Sequence, residues 1–169
     1  LIRESVKGYN LERLEADHEM SLVRLFNWLW TSEQWSANDA NIISNLLFSS
    51  QIKDDDKAVI VSAITLSILE YADKAKLLLL LDCYLSDSVQ VSQRALVGFV
   101  LALMAHYPLH YEGVAELSDR LEAFKVDTDF INDIFMVMTL LQSSSVTDKV
   151  TSKMRQDIMP ALMQAHFKK

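Results

Sequence analysis

One cysteine, two prolines and three glycines are all that this 169-residue sequence holds of the residues that staple, break or turn a chain. The single Cys83 permits no internal disulfide, and its place in an apolar run suits a small buried hydrophobe better than a reactive thiol. A reducing compartment, the cytoplasm, is the expected location. Gly8, Gly98 and Gly113 cannot assemble a G-x-S-x-G nucleophile turn or a glycine-rich phosphate loop. The same scarcity of glycine and proline leaves little turn chemistry for hairpins of strands. An excess of positive charge is missing as well. The formal charge of −7 opposes general binding to phosphate backbones, whose affinity comes mainly from lysine and arginine, so no nucleic acid is expected as a partner. The longest uncharged run, Ala95 to Tyr111, falls short of the ~20 apolar residues a bilayer needs and is broken by His106 and Pro108. No membrane span is predicted. The first residues, through Met20, are charged and lack the apolar segment of a signal peptide. They begin at Leu1 rather than methionine, which suggests a processed chain or a piece cut from a longer protein.

What is present is helical material. Half of the sequence is hydrophobic, in long leucine- and alanine-rich runs that predict an all-α chain forming one domain over residues 1–169. Its organising stretch runs from Lys74 to Tyr107. There, Leu77 to Leu81 with Cys83, Tyr84 and Leu85 form one limb, Ser86-Asp87-Ser88 an elbow, and Val89 to Ala105 a second limb. From Ala95 onward nearly every position is apolar, so this second helix should be covered on several sides. Gly98 in its middle, costing roughly 1 kcal/mol relative to alanine, points to a close crossing by a neighbouring helix. Pro108 closes the helix.

Earlier in the chain, Leu11, Leu14, His18, Leu22, Leu25, Phe26 and Leu29 share one stripe and predict a first amphipathic helix of about 20 residues. Trp28, Trp30 and Trp35 crowd its end and the following loop. They are candidate interaction anchors, with plugging of the first turn of a helical stack as the other reading. Ser36 with Asp39 reads as a capping box in an aspartate form, starting a second helix that ends near Gln51. Asp54-Asp55-Asp56 place negative charge at the start of a third, Ala58 to Ala72. They lack the alternating ligands, glycine and distal glutamate of a calcium loop.

Further on, His106 and His110 stand four apart, a zinc-binding spacing on an unbroken helix, but Pro108 interrupts them and no third ligand is evident beyond Glu112. No metal and no cofactor is expected. The carboxylate pairs Glu112/Glu116 and Asp129/Asp133 read as solvated charges on helix faces. Val114, Leu117, Leu121 and Phe124 mark a short helix, and Phe130, Ile131, Ile134, Phe135, Met138 and Leu141 the next. Ser143-Ser144-Ser145 reads as a polar loop. A last helical region through Val150, Met154 and Ile158 is kinked or restarted by Pro160 and still offers Leu162, Met163 and Phe167 to a partner.

The chain partly repeats itself. Laying Asp55 on Asp87 brings Val59 onto Val91, Ala63 onto Ala95 and Leu69 onto Leu101, and a third, divergent copy places Asp127, Ile131 and Leu141, with Phe135 replacing the alanine. The inner helices of this pattern are Ala58 to Ala72, Val89 to His106 and Asp129 to Gln142, with Ala63, Ala95 and Phe135 expected at helix-to-helix contacts. LLLLLDCYLSDSVQVSQRAL resembles a HEAT or armadillo repeat, although Ser92 stands where that family often has arginine. Val61 to Tyr71 and Val91 to Leu103 also look like the helical segment of large, uncharacterised bacterial proteins that carry tetratricopeptide repeats. The resemblance implies antiparallel helical hairpins stacked as a short α-solenoid, an α-α superhelix. The expected function is a protein-interaction or scaffold module without catalysis. Its partner would be a protein or neighbouring domains of the same chain, and self-association through uncovered ends is open to it. The alternative is a helical enzyme or a small-ligand-binding domain.

Overall fold

The computed structural model describes the backbone of residues 2–106, 109–111, 114–124 and 128–153, and the side chains of 11–106, 109–111, 114–124 and 128–144. Pro108, Glu112, Gly113, Asp127 and everything from Met154 onward, including Ile158, Pro160, Leu162, Met163 and Phe167, lie outside the described residues. Those described form seven helices and no strand: α1 (Ile2–Thr31), α2 (Ala37–Leu47), α3 (Asp54–Glu70), α4 (Lys74–Tyr84), α5 (Val89–His106), α6 (Ala115–Phe124) and α7 (Thr128–Lys153). The chain gathers into two compact units, 1–121 and 122–169, divided within α6.

The expected caps are present, but α2 ends at Leu47 rather than near Gln51, and α3 spans Asp54–Glu70 rather than Ala58 to Ala72. At α2, the Ser36 hydroxyl accepts from the Asp39 amide at 3.2 Å and the Asp39 carboxylate accepts from the Ser36 amide at 3.0 Å. A bond donated by the Ser36 hydroxyl to the Asp39 carboxylate at 2.7 Å, together with that from the Ser36 amide, holds the Asp39 carboxyl below the usual aspartate range. Asp54, Asp55 and Asp56 occupy the first turn of α3, where the helix end is partly positive. α4 ends in tight turns, with the Leu85 amide on the Asp82 carbonyl and the Ser86 amide on that of Cys83. Across the elbow, the Ser92 hydroxyl donates to the Tyr84 carbonyl at 2.7 Å and ties α5 back to α4.

In the first unit, α3 packs against α1, α4 and α5, and α4 packs against α2 and α5. α1 and α3 run in the same direction, because His18 meets Asp56 near the start of α3 while Ser32 meets Ser67 near its end. α3 and α5 are parallel for the same reason: Arg94 reaches Ser62, and further along His106 reaches the Ile68 carbonyl. The core is aliphatic. Leu77 to Leu81, Ile64, Ile68 and Phe99 are buried, each contributing roughly 1.5–3 kcal/mol on transfer from water. Ala63 and Ala95 are fully buried, as their recurrence in the self-comparison suggested. α5 is long and apolar enough by length and composition to cross a membrane, although the uncharged run had suggested otherwise. In this unit its Val91, Ala95, Leu96, Phe99 and Val100 are buried.

Three further expectations need correction. α1 is longer than its apolar stripe suggested and overhangs α3, which begins at Asp54 opposite His18. Leu11 and Leu14 therefore continue the buried stripe of Leu29 into solvent, Leu14 being 66% exposed. Ser143-Ser144-Ser145 is not a loop but part of α7, since three serines cost little helix propensity and no glycine or proline stops the helix there. Phe135 is 72% exposed rather than at a helix contact. Among the described residues of the second unit Phe130 is buried, its ring 4.4 Å from that of Phe124. Five residues on, Phe135 has turned roughly 140° around the helix away from it.

Candidate interaction surface

The two sides of α3 are built differently. Toward α1 the junction is polar and closed. Lys76, in the first turns of α4, is fully buried, and its ammonium donates to the carbonyls of Ser32 (2.8 Å) and Glu33 and to the Ser67 hydroxyl (2.9 Å). Those three acceptors use all three of its N–H groups. Ser67 in turn donates to the Ser32 carbonyl at 2.8 Å, and the Trp35 ring lies 5.2 Å from the ammonium. Beside it Asp73, also buried, caps α4 through Ala75 and Lys76 and accepts the Trp35 amide at 2.6 Å. The Asp73 amide donates to the Tyr111 hydroxyl at 3.2 Å. Burial holds the Lys76 ammonium below the ordinary lysine range, and the Asp73 charge 4.0 Å away opposes that shift. No buried side-chain nitrogen or oxygen among the described residues is left without a partner. An amine whose three donors are spent on fixed acceptors has none to offer a substrate, so this cluster is a latch joining α1, α3 and α4.

Toward α5 the junction is dry and close. A Cβ on Gly98 would collide with Thr65 Oγ1 and stand 3.2 Å from Thr65 Cβ and Cγ2. Thr65 cannot swing away freely, because its hydroxyl donates to the Val61 carbonyl at 2.9 Å. The crossing that Gly98 implied in the sequence is thus with α3. Above it lies an open notch of about 320 Å³ lined by Ser62, Thr65, Gln93, Arg94, Val97 and Gly98. Arg94 is exposed at its rim and donates to the Ser62 hydroxyl at 2.8 Å, across the 32-residue offset that aligns Ala63 with Ala95.

By helical spacing, Val59, Ser62, Leu66 and Leu69 of α3 share one stripe, on which Leu66 is exposed and the other three are half-buried. On α5 the matching stripe is Gln90, Arg94, Val97, Leu101 and Met104. Leu66, Val97 and Met104 on these stripes are exposed. On α1 the corresponding side carries Val23 and Trp30, both exposed. Three parallel helices thereby present one largely apolar face on the side away from α4.

The sequence-chosen tryptophans are divided by this geometry. Trp28 and Trp30 are each 47% exposed, but two residues apart on a helix they point roughly 200° from one another. Trp30 belongs to the open face and packs edge-on against Phe26, ring centres 6.1 Å apart. Trp35 is half-buried over Lys76, with its indole nitrogen donating to Ser32 Oγ at 2.9 Å. Leu66, Val97 and Arg94 were missed as candidates, because only the pairing of α3 with α5 brings them together.

Two other clefts carry polar groups. One, of about 490 Å³, is lined by Glu33, Glu70, Tyr71, His106 and His110. The histidine rings are 5.7 Å apart and His106 Nε2 bonds the Ile68 carbonyl at 2.7 Å, committing one of the candidate zinc-binding nitrogens. Among the described residues no three histidine, cysteine, aspartate or glutamate side chains are placed to hold a metal ion. The other, of about 380 Å³, contains Lys74, Asp82, Glu116 and Arg120, and their charges are spent on one another in the pairs Lys74–Glu116, Arg120–Asp82 and Arg120–Glu116. No family model, no curated protein and no solved structure matches this chain.

Proposed function

We propose that the chain is a protein-interaction module built as a short α-solenoid of HEAT-like hairpins, and that it binds through the open face of α1, α3 and α5. Support for the repeat comes from side-chain bonds between successive hairpins. His18 with Asp56, Trp35 with Asp73, Ile68 with His106, Asp73 with Tyr111 and Asp82 with Arg120 are each separated by 38 residues. A recurring separation agrees with stacked copies of one unit, although Ser62 with Arg94 and Ser32 with Ser67 stand 32 and 35 residues apart. The binding reading rests on the exposure of Trp30, Leu66, Val97 and Met104 on one side of three locked, parallel helices. A rigid apolar face of this kind needs little reorganisation on association.

Site-specific photo-crosslinking in the native cell tests this. A crosslinker at position 66 or 97 should capture a protein partner, while one at Leu85, exposed at the end of α4, should not. Equal capture at all three positions, or none at 66 and 97, would overturn the reading.

A further inference from the structure

Resting on that reading, we infer that the notch between α3 and α5 receives an acidic segment of the partner: an apolar side chain seated over Gly98, with a neighbouring aspartate or glutamate on Arg94. The notch supplies both halves of such a recognition. Its floor is the close crossing of Gly98 with Thr65, where the Thr65 side chain fills the space beside the glycine and leaves a shallow, mostly apolar seat above both. Val97 flanks that floor. Arg94 stands at the rim, exposed, with one N–H engaged by the neutral Ser62 hydroxyl and no carboxylate of the described residues paired with it. Arg120, Lys57 and Lys74, by contrast, each lie beside a carboxylate.

A guanidinium with a free fork next to an apolar seat is suited to a carboxylate, which it can grip through two parallel N–H donors. Its bond to Ser62 preorganises it at the correct side of the groove. The carboxylate is assigned to a side chain within a chain that passes through, not to a chain terminus. Exposed Leu66 and Met104 extend the apolar surface beyond the notch, so a segment has something to lie on past the charged contact.

A display library of random short peptides, held at both ends so that no terminus is free, should be selected against the full chain. The expected result is enrichment of sequences with an aspartate or glutamate next to a large apolar residue. Their affinity should fall about tenfold in Arg94→Gln, the order of one charge-assisted pair. In Arg94→Glu the preference should switch to lysine- or arginine-bearing peptides, with an unchanged circular dichroism melt showing that the fold survives. Selected peptides that lose binding in Leu66→Asp and Val97→Asp, yet show no acidic enrichment and ignore Arg94→Glu, would overturn this inference while leaving the interaction face standing. Peptides indifferent to Leu66→Asp, Val97→Asp and Arg94→Glu alike would overturn both.

Discussion

The two edges of α3 perform the same task by opposite physics. Its α1 edge is held by a buried ammonium with every donor satisfied, whereas its α5 edge is held by the fit of a glycine against a threonine. A polar edge tolerates no missing partner, because whatever remains is a buried group stripped of water. A dry edge tolerates no added atom, because the helices are already in van der Waals contact. The difference also explains where function can sit. Every buried polar side chain at the α1 edge is consumed internally, while the α5 edge leaves Arg94 at its rim with donors to spare.

The comparison breaks most readily at Lys76. Lys76→Met keeps the volume of the side chain but removes the donor to the Glu33 carbonyl, leaves the Ser32 carbonyl with Ser67 alone, and leaves the Asp73 charge without its cation. Urea denaturation should show a loss of about 3–5 kcal/mol. A variant as stable as the parent would mean that this lysine is not a latch.

Alkaline titration should also weaken the fold. Burial pushes the Cys83 thiol from 9.0 up to about 12 and the Tyr111 hydroxyl from 10.0 up to about 12. The folded state therefore keeps protons that the unfolded chain has given up, and the stability present below pH 9.0 is lost progressively as pH rises toward 12. Lys76 works in the opposite sense. Its folded value lies below 10.5, so in the window beneath 10.5 the unfolded state holds more protons and stability rises with pH. Cys83→Ala should delay the onset of the alkaline loss, and an onset unmoved by that substitution would remove Cys83 as its cause.

At the dry edge, Gly98→Ala should destabilise by roughly 1–3 kcal/mol despite alanine's better helix propensity, and Ala95→Leu by a similar ~1–3 kcal/mol. Thr65→Ala should recover much of the Gly98→Ala loss, because it removes the atoms that the new methyl meets, and should recover none of the Lys76→Met loss. Thermal melts of the single and double variants give the coupling directly. Recovery of both, or of neither, would erase the distinction between the edges. Smallest of all, Ser36→Ala removes the α2 cap, remote from either edge, and should cost ~1 kcal/mol whether or not Lys76 is present.

Much of this architecture was legible in the sequence because its signals are local. Ser36 and Asp39 form the cap their spacing announced, Gly98 marks a close crossing, and the recurring Ala63 and Ala95 are buried. The polar latch was not legible, although a trace of it existed. Lys76 lies on the same helical side as Leu80 and Cys83, which are buried with it, so a lysine there had to find partners. Which partners they were depended on the return of the Ser32–Trp35 turn, a long-range arrangement that periodicity does not carry. The overhang of α1 escaped for a related reason: an apolar stripe records what a helix is able to bury, not where its neighbour ends. The open face was hidden because Leu66 and Val97 look like ordinary core positions until α3 and α5 are placed side by side.

The polar latch fixes the turn after α1 onto α3 and α4, making a rigid face of three helices. Amide hydrogen exchange at Trp35 tests it most directly, since that amide lies in a connecting loop yet donates to buried Asp73 at 2.6 Å. The account predicts that it exchanges as slowly as Ile64 in the middle of α3, through global unfolding alone, and that Lys76→Met frees it. Exchange at Trp35 as fast as in an exposed loop, with Ile64 still protected, would contradict the claim.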